Sequence, residues 1–152
     1  MKTLLNPKDK ELIISRLGAI RPTSSRLWGR MSAHQMVCHL SDGFRMYMGL
    51  KPANPTRPPY PRNVVKWVAL WAPSPWSNGF KTVPELDQQA GGTPPEEFGK
   101  DVRELRNLVD HFTQLPRDFQ WQPHPQFGQM SDREWMRLAY LHMDHHLRQF
   151  SA

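Results

Sequence analysis

Apolar positions recur at helical spacing in four stretches of the chain, and a long irregular segment divides the second from the third. Asn6-Pro7 reads as an N-cap followed by proline in the first helical turn, and Leu12, Ile13, Leu17 and Ile20 then return to one side. A first helix is therefore predicted from about Pro7 to Ile20, with Pro22 helping to stop it. Ser32-Ala33-His34-Gln35 has the form of a capping box, and Met36, Val37, Leu40, Phe44 and Tyr47 form the stripe of a second helix that should end at Gly49. Thr93-Pro94-Pro95-Glu96 looks like a third start, with Thr93 as cap and Glu96 reaching back. Phe98, Val102, Leu105, Val109 and Phe112 then alternate in steps of four and three, and the helix should end by Leu115, before Pro116. Ser131-Asp132-Arg133-Glu134 is the clearest capping box and launches a final helix.

The segment from Lys51 to Gly92 lacks such order. Ten of the 15 prolines fall between Pro52 and Pro95, although Asn63 to Trp71 can make two turns of helix. Trp67, Trp71 and Trp76, with Phe80, give residues 63–80 an apolar surface of their own. That surface can cover the core, act as a lid or pocket wall, or form the contact of a homodimer; the sequence leaves these open. Membrane docking is not expected, because only one lysine accompanies the apolar residues. Strand signals are nearly absent, so the pattern predicts an all-α chain, a four-helix bundle with a Pro-rich crossing segment between helices two and three.

The length of 152 residues fits a single domain spanning 1–152. With Cys38 as its one cysteine the chain forms no internal disulfide, and the polar start Met1 to Leu12 lacks the apolar core of a signal peptide. No apolar run approaches the length of a membrane span, and a cytoplasmic protein is the expectation. A net charge of +6 and a pI near 9.8 raise nucleic acid as a partner. The arginines, however, are scattered from Arg16 to Arg148 without a basic block, which reads as solvated surface.

Candidate chemistry is concentrated in Leu141-His142-Met143-Asp144-His145-His146-Leu147-Arg148-Gln149. At about 100° per residue Trp135, Leu138, Ala139, His142, His146, Gln149 and Phe150 share one face, and Arg137, Asp144 and Arg148 the opposite one. An i, i+4 pair lies roughly 6 Å apart along the axis, so His142 and His146 can converge on one metal ion. Each is equally readable as a core histidine satisfied by a hydrogen bond, since two ligands are one short of the usual three. If the second and last helices are neighbours, His39 supplies the third nitrogen. Gly43, one turn beyond His39, then leaves room beside an imidazole at a cost of about 1 kcal/mol in helix propensity. Asp42 is within reach of His39 by spacing and can orient its second nitrogen. Cys38 is rotated away and reads as a packed residue. Three imidazoles with an open position suit a reactive site; they suit Zn, Ni, Fe or Cu and do not choose among them.

Trp28-Gly29-Arg30-Met31-Ser32 with His39-Leu40-Ser41-Asp42, and His142 to Phe150, together resemble the DinB/YfiT-like superfamily. More narrowly, the chain resembles a branch whose motif runs through His124-Pro125, Phe127-Gly128 and Glu134-Trp135 to His145-His146-Leu147-Arg148-Gln149-Phe150. The resemblance implies a four-helix bundle and a divalent metal held by His39, His142 and His146. It also implies thiol-dependent S-transfer or hydrolysis as the chemistry, although fold does not fix function. The expectation is a metalloenzyme with Zn or Ni, activating water or a low-molecular-weight thiol toward a small-molecule substrate. His145, Asp42 and His34 are the catalytic candidates, and Arg45 or Arg148 the anchors for an acidic substrate. The alternative is a metal- or ligand-binding bundle without turnover.

Overall fold

The computed structural model describes residues 1–79 and 82–152, and it is all-helical. Among the described residues five α-helices follow in order: α1 (Pro7–Ala19), α2 (Ala33–Tyr47), α3 (Arg62–Trp71), α4 (Phe98–Thr113) and α5 (Asp132–Gln149). A 3-10 turn at Pro84–Leu86 precedes α4. Among the described residues there is no strand, only an isolated bridge between His124 and Gly128.

Three of the local start signals operate as expected. Asn6 Oδ1 accepts from the Lys8 amide at 2.9 Å at the head of α1. Ser32 with Gln35, and Ser131 with Glu134, both close reciprocal capping boxes. Each satisfies two amides that the first helical turn leaves without a partner, an effect on the order of 1 kcal/mol.

The third start differs from the expectation. α4 begins at Phe98 rather than near Thr93, and no side chain caps it. Thr93 is drawn instead to Asp42, which accepts 2.7 Å bonds from both its backbone amide and its hydroxyl. Asp42 also accepts from the Lys51 ammonium at 2.8 Å, so one fully buried carboxylate holds both ends of the crossing segment against α2.

α2 packs on α4 and α5, while α1 and α3 both pack on α5. Ile13 and Leu17 of α1, Met36, Leu40 and Phe44 of α2, Leu105 and Phe112 of α4, and Trp135 of α5 are lost to solvent. Burying each such side chain contributes about 1.5–3 kcal/mol before entropy is counted. α5 is buried more fully than a one-faced helix would be, since Met136, Tyr140, Met143 and Leu147 are covered as well. Arg16 of α1 meets Asp144 on that side at 2.6 Å, and Asp144 in turn accepts from Arg148.

Within the crossing segment, Leu70 of α3 is fully buried while Trp67 faces solvent. Trp76 donates from its indole nitrogen to the Ala69 carbonyl at 2.8 Å, which folds it back over α3. The segment therefore covers core and also walls a cavity above α5. Phe80 lies outside the described residues.

Candidate metal centre

One turn separates His142 from His146 on α5, and the contact between α2 and α5 brings His39 opposite them. The three rings form a nearly equilateral triangle, with centroids 5.0, 4.8 and 4.9 Å apart. One nitrogen of each lies within 4.8 Å of the other two, and His39 Nε2 is 3.0 Å from His142 Nε2. His39 and His146 are buried.

The outward nitrogens decide what the inward ones can do. His39 Nδ1 lies 2.8 Å from the Leu86 carbonyl, which only accepts, so the proton sits on Nδ1 and the Nε2 lone pair faces inward. Gln149 donates its amide nitrogen to the Trp28 carbonyl at 2.8 Å, which turns Oε1 toward His146 Nδ1 at 2.9 Å. His146 is thereby held in the same tautomer. His142 Nδ1 meets the Tyr47 hydroxyl at 2.8 Å, a partner able to donate or accept. Without a cation, Tyr47 donates outward to His142, whose Nε2–H then bonds to His39. Were an ion held there, His142 would carry its proton on Nδ1 and Tyr47 would accept from it. The hydroxyl thus suits both states of the centre.

Burial pushes all three imidazoles below the ordinary histidine range, for His142 and His146 far below it. Neighbouring imidazoles add to the effect, because no second ring can charge beside a first. Near neutral pH the cluster is uncharged, which is the ligating form. Three neutral nitrogens without a carboxylate among them could hold a metal ion and would leave coordination positions free.

Gly43 serves the partner ring rather than its own neighbour on α2. A Cβ at position 43 would stand 3.2 Å from His142 Cε1 and 3.3 Å from its Nδ1. Gly29 has a similar purpose on the far side: its φ of 78° forms the turn that presents the Trp28 carbonyl, and a Cβ there would lie 2.6 Å from the Gln149 amide.

The remaining candidates separate. His145 is buried against Trp28 and Trp76, lines the cavity beside the cluster, and its Nδ1 has no hydrogen-bond partner. Asp42 does not orient His39; its carboxylate is committed to Lys51 and Thr93, and the Leu86 carbonyl takes the place expected for it. His34 bonds through Nε2 to Asp101 at 2.7 Å on the α2–α4 side and does not line the cavity. Cys38 joins that pair at 3.7 Å, and burial followed by the Asp101 charge pushes its thiol up to about 12. These three side chains are also close enough to share a cation. Asp101 Oδ2 already accepts from His34, Cys38 and the Glu96 amide, so the group is satisfied as it stands. Arg45 pairs with Asp42 and Glu104, and Arg148 with Asp144; neither lines the cavity.

The His-Pro and Phe-Gly positions build a turn. His124 Nδ1 accepts from the amides of Gln126 and Phe127 at 3.2 and 3.3 Å, its ring stacks 4.3 Å from that of Phe127, and Gly128 takes a φ of 70°. Tyr47, Trp28, Trp76 and the Leu86 carbonyl are parts of the site that the histidine spacing did not disclose. Gln149 alone carried a local signal, being three residues beyond His146 on the same face.

Among the described residues no helix is long and apolar enough to cross a membrane. No curated protein and no solved structure matches the chain. A family model does match, over residues 5–152, and its span includes the histidine triangle and each residue that orients it. The chain therefore belongs to the family described as protein of unknown function, DUF1569.

Proposed function

We propose that the chain is a metal-dependent enzyme in which His39, His142 and His146 hold one divalent ion, zinc or nickel, within a four-helix bundle of the DinB/YfiT-like kind. α1, α2, α4 and α5 form that bundle, and α3 with its flanking loops forms the cavity wall. The observation that carries the reading is the orientation of the rings: two Nδ1 atoms are pinned by acceptors and the third meets a hydroxyl able to donate or accept, so three Nε2 atoms face one point and could all turn lone pairs to an ion. Hydrogen bonds of this kind to the outer nitrogen are what hold ligating histidines in structures generally. A bound ion supplies Lewis acidity that makes water or a thiol anionic near neutral pH.

The protein's own groups set the rest. Trp76 and residues of α3 wall the cavity over the cluster, and the burial of His39 and His146 strengthens electrostatic interactions there. His145, neutral because burial lowers its basicity, lines the same cavity next to His146 and is the titratable side chain nearest the cluster for exchanging a hydrogen bond or a proton with substrate. S-transfer from a low-molecular-weight thiol and hydrolysis of a small ester or amide are the two chemistries this arrangement serves.

Metal analysis of the purified protein is the first test. About one equivalent of zinc or nickel is expected, and its loss on replacing His39, His142 or His146 by alanine. Full retention in all three variants, or no metal uptake by the parent, overturns the site. Thiols with electrophilic acceptors, then esters and amides, separate the two chemistries. Metal bound with no turnover in either screen leaves the reading of a non-catalytic metal- or ligand-binding bundle.

A further inference from the structure

The cavity over the histidines measures about 1040 Å³, at the top of the roughly 300–1,000 Å³ range that holds drug-sized ligands. A water molecule or a small thiol would leave most of it empty. Its polarity is also uneven. The three clustered histidines and His145 come from α2 and α5, and the facing wall carries Val64, Val65 and Val68 of α3 with Trp76 and Val83, among uncharged polar residues such as Ser74, Thr82 and Gln88. Among the described lining residues only Arg30 and Asp87 carry charge, and their signs cancel.

From this asymmetry we infer that the site takes an amphiphile: one anion-forming head on the histidine side and a long or bulky apolar body along α3. The inference rests on the proposed metal site for the head and on the walls alone for the body. Three neutral imidazoles leave the charge of a divalent ion uncompensated, so a thiol, carboxylate or hydroxamate head is favoured over a neutral or cationic one. A body carrying several charges, as in peptidic thiols, finds no paired partner along the valines and would lose its hydration there. The rim supports an extended body. Val64 and Val68 line the cavity yet are 48% and 53% exposed, so apolar surface at the mouth stays wet until a ligand covers it.

The test uses zinc-loaded full-length protein and straight-chain hydroxamic acids from acetohydroxamic to octanohydroxamic acid, with affinities from titration calorimetry. A constant head isolates the body. Burial of each methylene should raise affinity about fourfold, or about four thousandfold across the six methylenes of the series. Val68→Asp, at a half-exposed position that tolerates a charge in folding terms, should reduce octanohydroxamate affinity at least tenfold and leave acetohydroxamate unchanged. Octanohydroxamate binding no tighter than acetohydroxamate to protein that holds zinc overturns the amphiphile and spares the metal. Failure of the metal reading looks different: no zinc is retained, His39→Ala alters no affinity, and the chain-length gain persists in quenching of tryptophan fluorescence.

Discussion

Gly43 lies against the ring of His142, so close that a single added methyl would stand 3.2 Å from Cε1. Glycine inside a helix costs about 1 kcal/mol relative to alanine, and α2 bears that cost at the point where α5 presents its first imidazole. Gly43→Ala should therefore separate stability from binding. The metal-free variant is expected to melt within a few degrees of the parent, since propensity gained offsets contact strain. Its metal affinity should fall about ten- to a hundredfold, the range found when the support of a ligating histidine is disturbed. Competition with a chromophoric chelator measures this, and unchanged affinity would remove the claimed role of the glycine.

Asp42 and Thr93 make the second connection that acts at a distance. The carboxylate is fully buried, and burial alone would raise its pKa; the Lys51 ammonium and the Thr93 donors outweigh that and hold it below the usual carboxylate range. Its contribution to stability is thus present above that range and is lost as acid protonates it in the folded state. Asp42→Asn leaves Lys51 without its counter-charge and sets an amide where Thr93 needs two acceptors. A loss of about 3 kcal/mol is expected from urea denaturation near neutral pH. Metal content of the folded fraction should not change, because no hydrogen bond joins Asp42 to the histidines. A loss of metal at constant stability would contradict this division.

The same pair explains where sequence reading stopped. Caps at Asn6, Ser32 and Ser131 are local, and so is the one-turn spacing of His142 and His146; periodicity discloses both. That Tyr47 is more than a member of an apolar stripe depends on a partner 95 residues away. Thr93 had every feature of a helix cap and was taken from that duty by a buried charge 51 residues earlier. The Leu86 carbonyl has no side-chain signature at all, being supplied by the backbone of an irregular segment. What was legible is what neighbours in sequence determine; what was missed is what distant buried groups demand of one another.

Cys38 tests the other side of α2. Burial and the Asp101 carboxylate push its thiol up to about 12, so almost none is thiolate at pH 8. Iodoacetamide should leave the native protein unlabelled over hours and modify it fully in guanidinium, as read by intact mass. Rapid labelling of the folded chain would mean that the α2–α4 contact is looser than described.

His124 provides a pH dependence that owes nothing to the metal. Burial lowers its pKa to about 3, and its Nδ1 must stay unprotonated to accept from two backbone amides. As pH falls below about 6.5 the unfolded chain binds a proton that the folded one refuses. Stability from this residue is therefore complete above that pH and drains away toward pH 3, at about 1.4 kcal/mol per unit. Asparagine at this position can still accept from the following amides but does not titrate. In chelator-treated protein His124→Asn should cost about 1–2 kcal/mol at pH 7, through lost stacking on Phe127 and Trp135. At pH 4.5 the deficit should vanish or reverse, because only the parent has lost the His124 contribution; the other histidines are common to both and cancel. Urea midpoints at the two pH values decide it. Parallel curves, with the same deficit at both, would mean that the His124 ring takes up its proton in the folded state as readily as in the unfolded chain.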